Sequence, residues 1–178
     1  MSKSSAQSSF VAIDVAVITV TDTRTFETDT SGKTIVDLLT AGGHKVVERE
    51  LVVDEKRAIQ DTLSRVLGRR QVDVVVMTGG TGLTPRDVTP EAVAPFVTKP
   101  IPGFGELFRW LSYADIGAAT IQSRAEAMLC GPTLVFLLPG SPKAVQLAVE
   151  KILLPQLDAT TKPCNFVQLL PRLRGEPQ

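Results

Sequence analysis

A mostly parallel β-sheet covered by helices on both faces is the fold this sequence predicts. Three observations carry it. Residues 13–20 (IDVAVITV), 72–78 and 133–138 (TLVFLL) are near-continuous apolar, β-branched runs, the mark of strands buried on both faces. Segments with helical apolar spacing alternate with them, the order that builds crossovers between parallel strands. At 178 residues the chain has room for one compact domain and not for two comfortable ones.

The elements follow in order. After the first strand, residues 31–41 carry Ile35, Leu38 and Leu39 at helical spacing, and Gly42-Gly43 supplies a stop. Residues 45–53 read as the next strand. Asp54 is placed to cap a helix running to Leu67, with Ile59, Leu63, Val66 and Leu67 on one face. The run at 72–78 is the third strand. Thr89 as cap and Pro90 at the first helical position open a short helix. Residues 101–124 are less regular: 105–111 look helical, and Phe108, Trp110 and Leu111 are core candidates. The strand 133–138 ends in Pro139-Gly140. Ser141-Pro142 repeats the cap-plus-proline start, and the helix 142–154 sets Val145, Val149, Ile152 and Leu153 toward the core.

Composition narrows the function. The 19 basic and 19 acidic side chains cancel, so no net charge calls for nucleic acid or an anionic membrane surface. One histidine, His44, rules out multi-histidine metal sites and disfavours a Ser-His-Asp enzyme; it sits in a turn and reads as a surface residue. Cys130 and Cys164 are far apart, which points away from a disulfide framework or zinc site and toward a reducing cytoplasm. No run of about 18 apolar residues exists to span a membrane. Residues 1–10 are polar and serine-rich at their start and are expected to be disordered. Residues 171–178 read as a tail.

In a parallel sheet, ligands bind beyond the carboxyl ends of the strands. The loops after Val20, Val53, Thr78 and Leu138 are therefore the ones expected to carry chemistry. The strongest signal is 72–89, VDVVVMTGGTGLTPRDVT. A buried strand feeds Gly79-Gly80-Thr81-Gly82, then Arg86-Asp87, then a helix start. Backbone amides bared by such a loop hold phosphate, and an adjacent acid holds a metal ion on it. The loop is neither a Walker A motif nor GxGxxG, and glycines also serve simply as turns. Asp54 ends the neighbouring strand. Two carboxylates at one sheet edge suit Mg²⁺, while a plain helix cap is the competing reading of Asp54. Thr21, Asp22, Ser31 and Gly32 flank the first helix as caps or anion ligands. Lys143, in the first turn of its helix, and Arg86 are cations near helix N-termini, a placement that a bound anion would compensate; solvated surface cations are the alternative. Ser123-Arg124 is a further phosphate candidate. Trp110, Tyr113 and the phenylalanines read as core rather than as ligand stackers.

Taken together, these motifs resemble the MoaB/Mog molybdopterin-binding family of molybdenum cofactor biosynthesis. The carriers are Thr19-Val20-Thr21-Asp22, Asp29-Thr30-Ser31-Gly32, Gly79-Gly80-Thr81-Gly82, and Thr84-Pro85-Arg86-Asp87-Val88-Thr89-Pro90-Glu91. Pro102-Gly103-Phe104-Gly105-Glu106, Ser123-Arg124 and Leu138-Pro139-Gly140-Ser141-Pro142-Lys143 complete the set. The match spans roughly residues 14–167 and is nearest the MoaB branch. The resemblance implies a three-layer α/β/α sandwich over residues 11–170, assembled as a trimer or hexamer. It implies adenylyl transfer from ATP to molybdopterin, with release of pyrophosphate. It places the two catalytic acids on Asp54 and Asp87, both also ligands of Mg²⁺. It makes the substrate and phosphate contacts Thr21, Asp22, Ser31, Gly32, Thr78, Gly79, Gly80, Thr81, Gly82, Arg86, Ser123, Arg124, Pro139, Gly140, Ser141 and Lys143. A non-catalytic molybdopterin carrier is the second reading. A dinucleotide-cleaving relative is the third, although such proteins usually carry additional domains.

Overall fold

Six strands form one sheet in the order β2-β1-β3-β6-β5-β4 in the computed structural model, which describes residues 9–69 and 71–176. The expected disorder of the first eight residues falls outside the described residues. The strands are β1 (Asp14–Val20), β2 (Lys45–Val52), β3 (Val74–Thr78), β4 (Lys99–Pro100), β5 (Glu126–Cys130) and β6 (Thr133–Leu138). The four strands β2, β1, β3 and β6 are mutually parallel, so their carboxyl ends share one edge. Beyond β6 the sheet is extended by β5, antiparallel to β6, and by the two-residue β4, antiparallel to β5. Neither β4 nor β5 was legible as a strand: β4 is two residues long, and β5 carries no β-branched residue.

The helices are α1 (Thr30–Ala41), α2 (Lys56–Leu67), α3 (Thr89–Val93), α4 (Pro102–Ile116), α5 (Pro142–Ala148), α6 (Leu154–Gln156) and α7 (Leu170–Leu173). Between α5 and α6 the helix continues as a π-helical stretch, Val149–Leu153. Every residue of β3 and β6 is buried, and alternate side chains feed two cores. One face receives Ile35 and Leu39 of α1, Phe104 and Phe108 of α4, and Val145 and Ala148 of α5. The other receives Ile59, Leu63 and Val66 of α2 with Ala92 and Val93 of α3. Helices on both faces of the sheet make the expected three-layer α/β/α sandwich.

The chain goes from β1 to β2 on one side and reaches β3 on the other. The helices α1 and α2 that make these connections lie on opposite faces. The gap between β1 and β3 is therefore a topological switch point, where diverging loops leave a crevice. Past β6 the chain returns along the body. Val167 and Leu170 enter the α1–α5 core, and Arg174 pairs with the buried Asp73 at the start of β3.

Several local readings are corrected. The middle section is one long helix, α4, rather than a short one over 105–111. It buries Phe104, Phe108 and Ser112, a single i, i+4, i+8 stripe. Trp110 lies off that stripe and is 73% exposed; Tyr113 is exposed as well. Among the phenylalanines, Phe104, Phe108 and Phe136 are core, whereas Phe10 and Phe26 are exposed. His44 is buried, 4% exposed, rather than on the surface. Its amide bonds back to the Leu39 carbonyl, and the Phe10 ring lies 5.3 Å away and closes over it.

Candidate functional site at the carboxyl edge of the sheet

The glycine loop is built by the close approach of three strand ends. Gly79 has φ +99°, and a Cβ there would strike the Val20 carbonyl oxygen at the end of β1. Gly140, after β6, packs against the Gly79 backbone from the other side. Gly80 follows with φ +63°. These conformations are open to glycine and costly for other residues. The turn is fastened by hydroxyls. Thr89 Oγ1 donates to the Gly79 carbonyl (2.9 Å) and Thr78 Oγ1 to that of Pro139 (2.8 Å). Thr89 is therefore not the cap of α3, as the sequence suggested. Val88 takes that position without a side-chain bond, and Thr89 is buried.

Two carboxylates face this loop. A Cβ on Gly80 would lie 2.9 Å from Asp54 Oδ1, and one on Gly82 would lie 2.7 Å from Asp87 Oδ2. Asp54 is also not a helix cap: Glu55 holds that position in α2, and the Asp54 side chain turns to the loop. Its Oδ1 is buried and lacks a hydrogen-bond partner. Burial pushes the Asp54 carboxyl above the usual range; a backbone hydrogen bond from Val88 opposes this, and the charges of Asp22 and Asp87 add smaller upward pushes. Asp87 behaves oppositely. Thr84 donates to its Oδ2 from both hydroxyl (2.6 Å) and amide (2.9 Å), and these bonds lower its pKa. Among the described residues, no group of three or more His, Cys, Asp or Glu is arranged to hold a metal ion. A hard cation bound through two carboxylates would draw its remaining ligands from water and substrate, the usual habit of Mg²⁺.

The other expected residues fall around this pair. Asp22 accepts from the Asp54 amide (3.0 Å) and pairs with Arg86 (2.5 Å). Arg124 brackets the loop, donating to the carbonyls of Gly82 (2.8 Å) and Asp87 (2.7 Å) and pairing with Glu91. Thr81 is buried within the loop. Ser31 Oγ donates to the Gly140 carbonyl (2.8 Å), which ties α1 to the end of β6. The hydroxyls near the start of α1 are not its cap. Asp29 is, accepting from the Gly32 amide (2.8 Å), from Thr19 Oγ1 (2.8 Å) and from Arg49 (2.9 Å). Ser141 caps α5 as expected.

Two cavities meet at Gly79 and Gly140. One, of about 230 Å³, lies at the switch point beyond β1 and includes Thr21, Ser31 and Thr78. The other, of about 480 Å³, is lined by Gly79, Gly80, Thr81, Gly82 and Asp87 together with Ser123, Pro139 and Ser141. Lys143 is not brought to the glycine loop. It lines a third cavity beside Asp115, Glu150 and Lys151, which Ser141 connects to the second. Sequence reasoning missed Arg24, Thr19, Asp29 as a buried hub, and Glu91. Arg24 could have been flagged as the residue that ends the strand-end run Thr21-Asp22-Thr23-Arg24. The Asp29–Arg49 pair joins a loop to a strand and had no local signal.

This geometry has counterparts among known proteins. The family model described as a probable molybdopterin binding domain matches residues 16–159. The chain belongs to the molybdopterin-binding domain family. Its relatives in molybdenum cofactor biosynthesis are similar over nearly their whole length. Molybdenum cofactor biosynthesis protein B of Escherichia coli strain K12 is 44% identical over 163 residues, covering 92% of this chain and 96% of that protein. The protein of the same name from Bacillus subtilis is 50% identical over 142 residues, 79% and 84% of the two chains. A crystal structure of a molybdenum cofactor biosynthesis protein B superposes with a TM-score of 0.83 at 41% identity, covering 93% of this chain and 98% of that one. A tungsten cofactor synthesizing protein MoaB from Pyrococcus furiosus superposes with a TM-score of 0.72 at 36% identity, over 79% and 90%. The match to the family model covers β1 through α6 and so includes both acids and the glycine loop. A role in molybdenum cofactor biosynthesis, acting on a small molecule, follows from this membership. No helix among the described residues is long and apolar enough to cross a membrane.

Proposed function

We propose that this protein transfers an adenylyl group from ATP to the terminal phosphate of molybdopterin, releasing pyrophosphate, with Mg²⁺ required. The observation that carries the reading is Asp54: a buried carboxylate oxygen without a hydrogen-bond partner, beside a second carboxylate and against the glycine loop. A buried charge without a partner is costly. A divalent cation on Asp54 and Asp87 removes that cost, and the pair fits Mg²⁺ in donor type and number. The ion, when bound, supplies charge neutralisation for crowded phosphates.

The chain's own groups do the rest. Asp87, ionised by its Thr84 bonds, and Asp54 hold the metal edge of the site. The Gly79 amide is spent on the Leu138 carbonyl and that of Gly82 on the Asp87 carboxylate, so the amides of Gly80 and Thr81 are the ones placed to hold phosphate oxygens, and Arg124 keeps the loop in shape from behind. A phosphate-monoester oxygen of the pterin attacks the α-phosphorus of ATP. The new O–P bond forms as the bond to the bridging oxygen breaks, and pyrophosphate leaves with the electron pair. Positioning two anions against fixed donors supplies most of the acceleration in such displacements. We place this reaction in the cytoplasm, consistent with the unpaired state of Cys130 and Cys164. We assign the active form to a homo-oligomer, trimer or hexamer.

The test mixes purified protein, molybdopterin, ATP and Mg²⁺ and follows adenylylated molybdopterin and pyrophosphate, with Asp87→Asn as control. Product from the wild type alone supports the enzyme. Absence of product with molybdopterin still bound would make the protein a carrier built on the catalytic fold.

A further inference from the structure

Asp54 and Asp87 lie in different loops, one after β2 and one between β3 and α3. Each is held in part by the backbone. The Val88 amide donates to the Asp54 carboxyl, and the Gly82 amide donates to that of Asp87. One guanidinium grips both backbone segments from the other side. Arg124 Nε donates to the Gly82 carbonyl (2.8 Å) and Nη2 to the Asp87 carbonyl (2.7 Å). The Asp87 carbonyl and the Val88 amide belong to one trans peptide unit, so they point in opposite directions. That unit therefore has Arg124 on one side and Asp54 on the other. The remaining nitrogen, Nη1, pairs with Glu91 in the first turn of α3. Each nitrogen of the guanidinium thus has an acceptor already. Nor does Arg124 line the cavity that holds Asp87, although its neighbour Ser123 does. It lines a separate cavity of about 350 Å³ beside β5 and the start of α4, with Arg109 and Glu126.

We propose that Arg124 is a positioning residue for the two metal-edge carboxylates, that Glu91 holds Arg124 in place, and that neither side chain touches substrate; the proposal rests on the adenylyl-transfer reading for the presence of the metal. A guanidinium is a rigid planar fork and meets three acceptors at set angles, which an ammonium does not. Hydrogen bonds in series polarise the peptide between them, so the bond from Arg124 makes the Val88 amide a stronger donor to Asp54. Partners behind metal ligands fix the orientation of those ligands, and losing one commonly costs about 10–100-fold in metal affinity. Glu91 is half exposed, and an exposed ion pair contributes little by itself. Its part is to keep the Arg124 side chain in the one pose that reaches both carbonyls.

The experiment reads Mn²⁺ binding to the full-length, nucleotide-free protein by electron paramagnetic resonance, and the binding of metal-free ATP by calorimetry. Arg124→Gln is expected to weaken Mn²⁺ about tenfold, and Arg124→Lys nearly as much, because the fork is lost in both. The sign discriminates: by charge alone, removing a cation from beside two carboxylates would tighten a metal ion. Glu91→Gln is expected to weaken Mn²⁺ about threefold. The double variant should bind no more weakly than Arg124→Gln, since Glu91 acts only through the guanidinium. Affinity for metal-free ATP should change by less than about threefold in all of them. Unchanged or tighter Mn²⁺ in Arg124→Gln would overturn the proposal. So would full retention in Arg124→Lys, an additive loss in the double variant, or a loss confined to metal-free ATP, which would make Arg124 a phosphate ligand. Glu91→Gln alters one half-exposed side chain, so the test stands even where Arg124→Gln does not fold, and unchanged Mn²⁺ there also overturns the proposal. Absence of saturable Mn²⁺ binding to the wild type would overturn the metal reading and this proposal with it, a failure distinct from variants that bind as the wild type does.

Discussion

Asp54 shows how a single residue records a missing partner. Its carboxyl is held above the usual range by burial first, against an opposing backbone hydrogen bond from Val88, with smaller upward pushes from Asp22 and Asp87. A raised carboxyl favours the protonated form in the folded state, so its contribution to stability is full below the unfolded value near 3.8 and is lost as pH rises through the folded value. At neutral pH the charged form is a burden. Asp54→Asn is therefore expected to abolish turnover while raising the melting temperature at pH 7, with the gain disappearing below about pH 4. Calorimetry across pH, paired with the pyrophosphate assay, checks both halves; a lower melting temperature at pH 7 would contradict the account. His44 titrates in the other direction. Burial depresses it below 6.5, against a smaller opposing effect of Asp158. Its contribution is present above 6.5 and is lost as pH falls through the lower folded value. The wild type should lose melting temperature between about pH 6.5 and 5 faster than His44→Gln does. Parallel curves for the two would refute this. Asp54 and Asp87 were legible as candidates because both lie in loops that leave the carboxyl ends of parallel strands, Asp54 soon after β2 and Asp87 between β3 and α3. His44 was not, because nothing local to a glycine turn says that Phe10 will close over it.

At the scale of elements, the strand–glycine–helix unit around β3 is where sequence and structure agree most closely. The apolar run had to be buried, and the glycines had to relieve a clash. The clash itself, between position 79 and the Val20 carbonyl, is between strands and could not be read along the chain. Gly79→Ala is expected to cost about 2–4 kcal/mol, from the positive φ and the steric conflict together. Denaturant titration would show it, and a change under about 0.5 kcal/mol would mean the turn can relax. The start of α1 is a second case. Asp29→Ala removes the cap and leaves Arg49 without its carboxylate, so a loss of about 1–3 kcal/mol is expected by the same measurement. The capping readings at Thr89 and Asp54 failed for one reason. In each case the polar side chain found a better partner or role in the glycine loop than at the neighbouring helix. β4 lacked signal because two residues are too few for a pattern to show, and β5, although as long as β3, reads EAMLC and carries none of the β-branched residues that mark the β3 run.

For the molecule as a whole, the exposed large apolar side chains among the described residues are most numerous along and just after α4. Leu107, Trp110, Tyr113 and Ile116 of α4 are exposed, with Ile121 just beyond them. Apolar patches of this kind mark protein–protein contacts. The proposed oligomer is expected to use this face. Light scattering should return three or six times the chain mass of 19.1 kDa, and Trp110→Glu should shift it toward the monomer. A monomeric wild type would remove the oligomer from the model of function. Cys130 takes no part in chemistry on this view: burial pushes its thiol up to about 11, where it is a small apolar side chain.

The sequence by itself determined the parallel core, the edge that holds the candidate site and the family. Those follow from period, strand-end position and short motifs, all of which are properties of neighbours along the chain. Only the tertiary structure decided that Asp54 turns to the loop and does not cap a helix, and that Arg86 and Arg124 are spent on Asp22 and Glu91 while Arg24 has no ion-pair partner among the described residues. Pairing of charges depends on which loops the sheet order brings together, and the crossing of β1 between β2 and β3 is a fact of three dimensions.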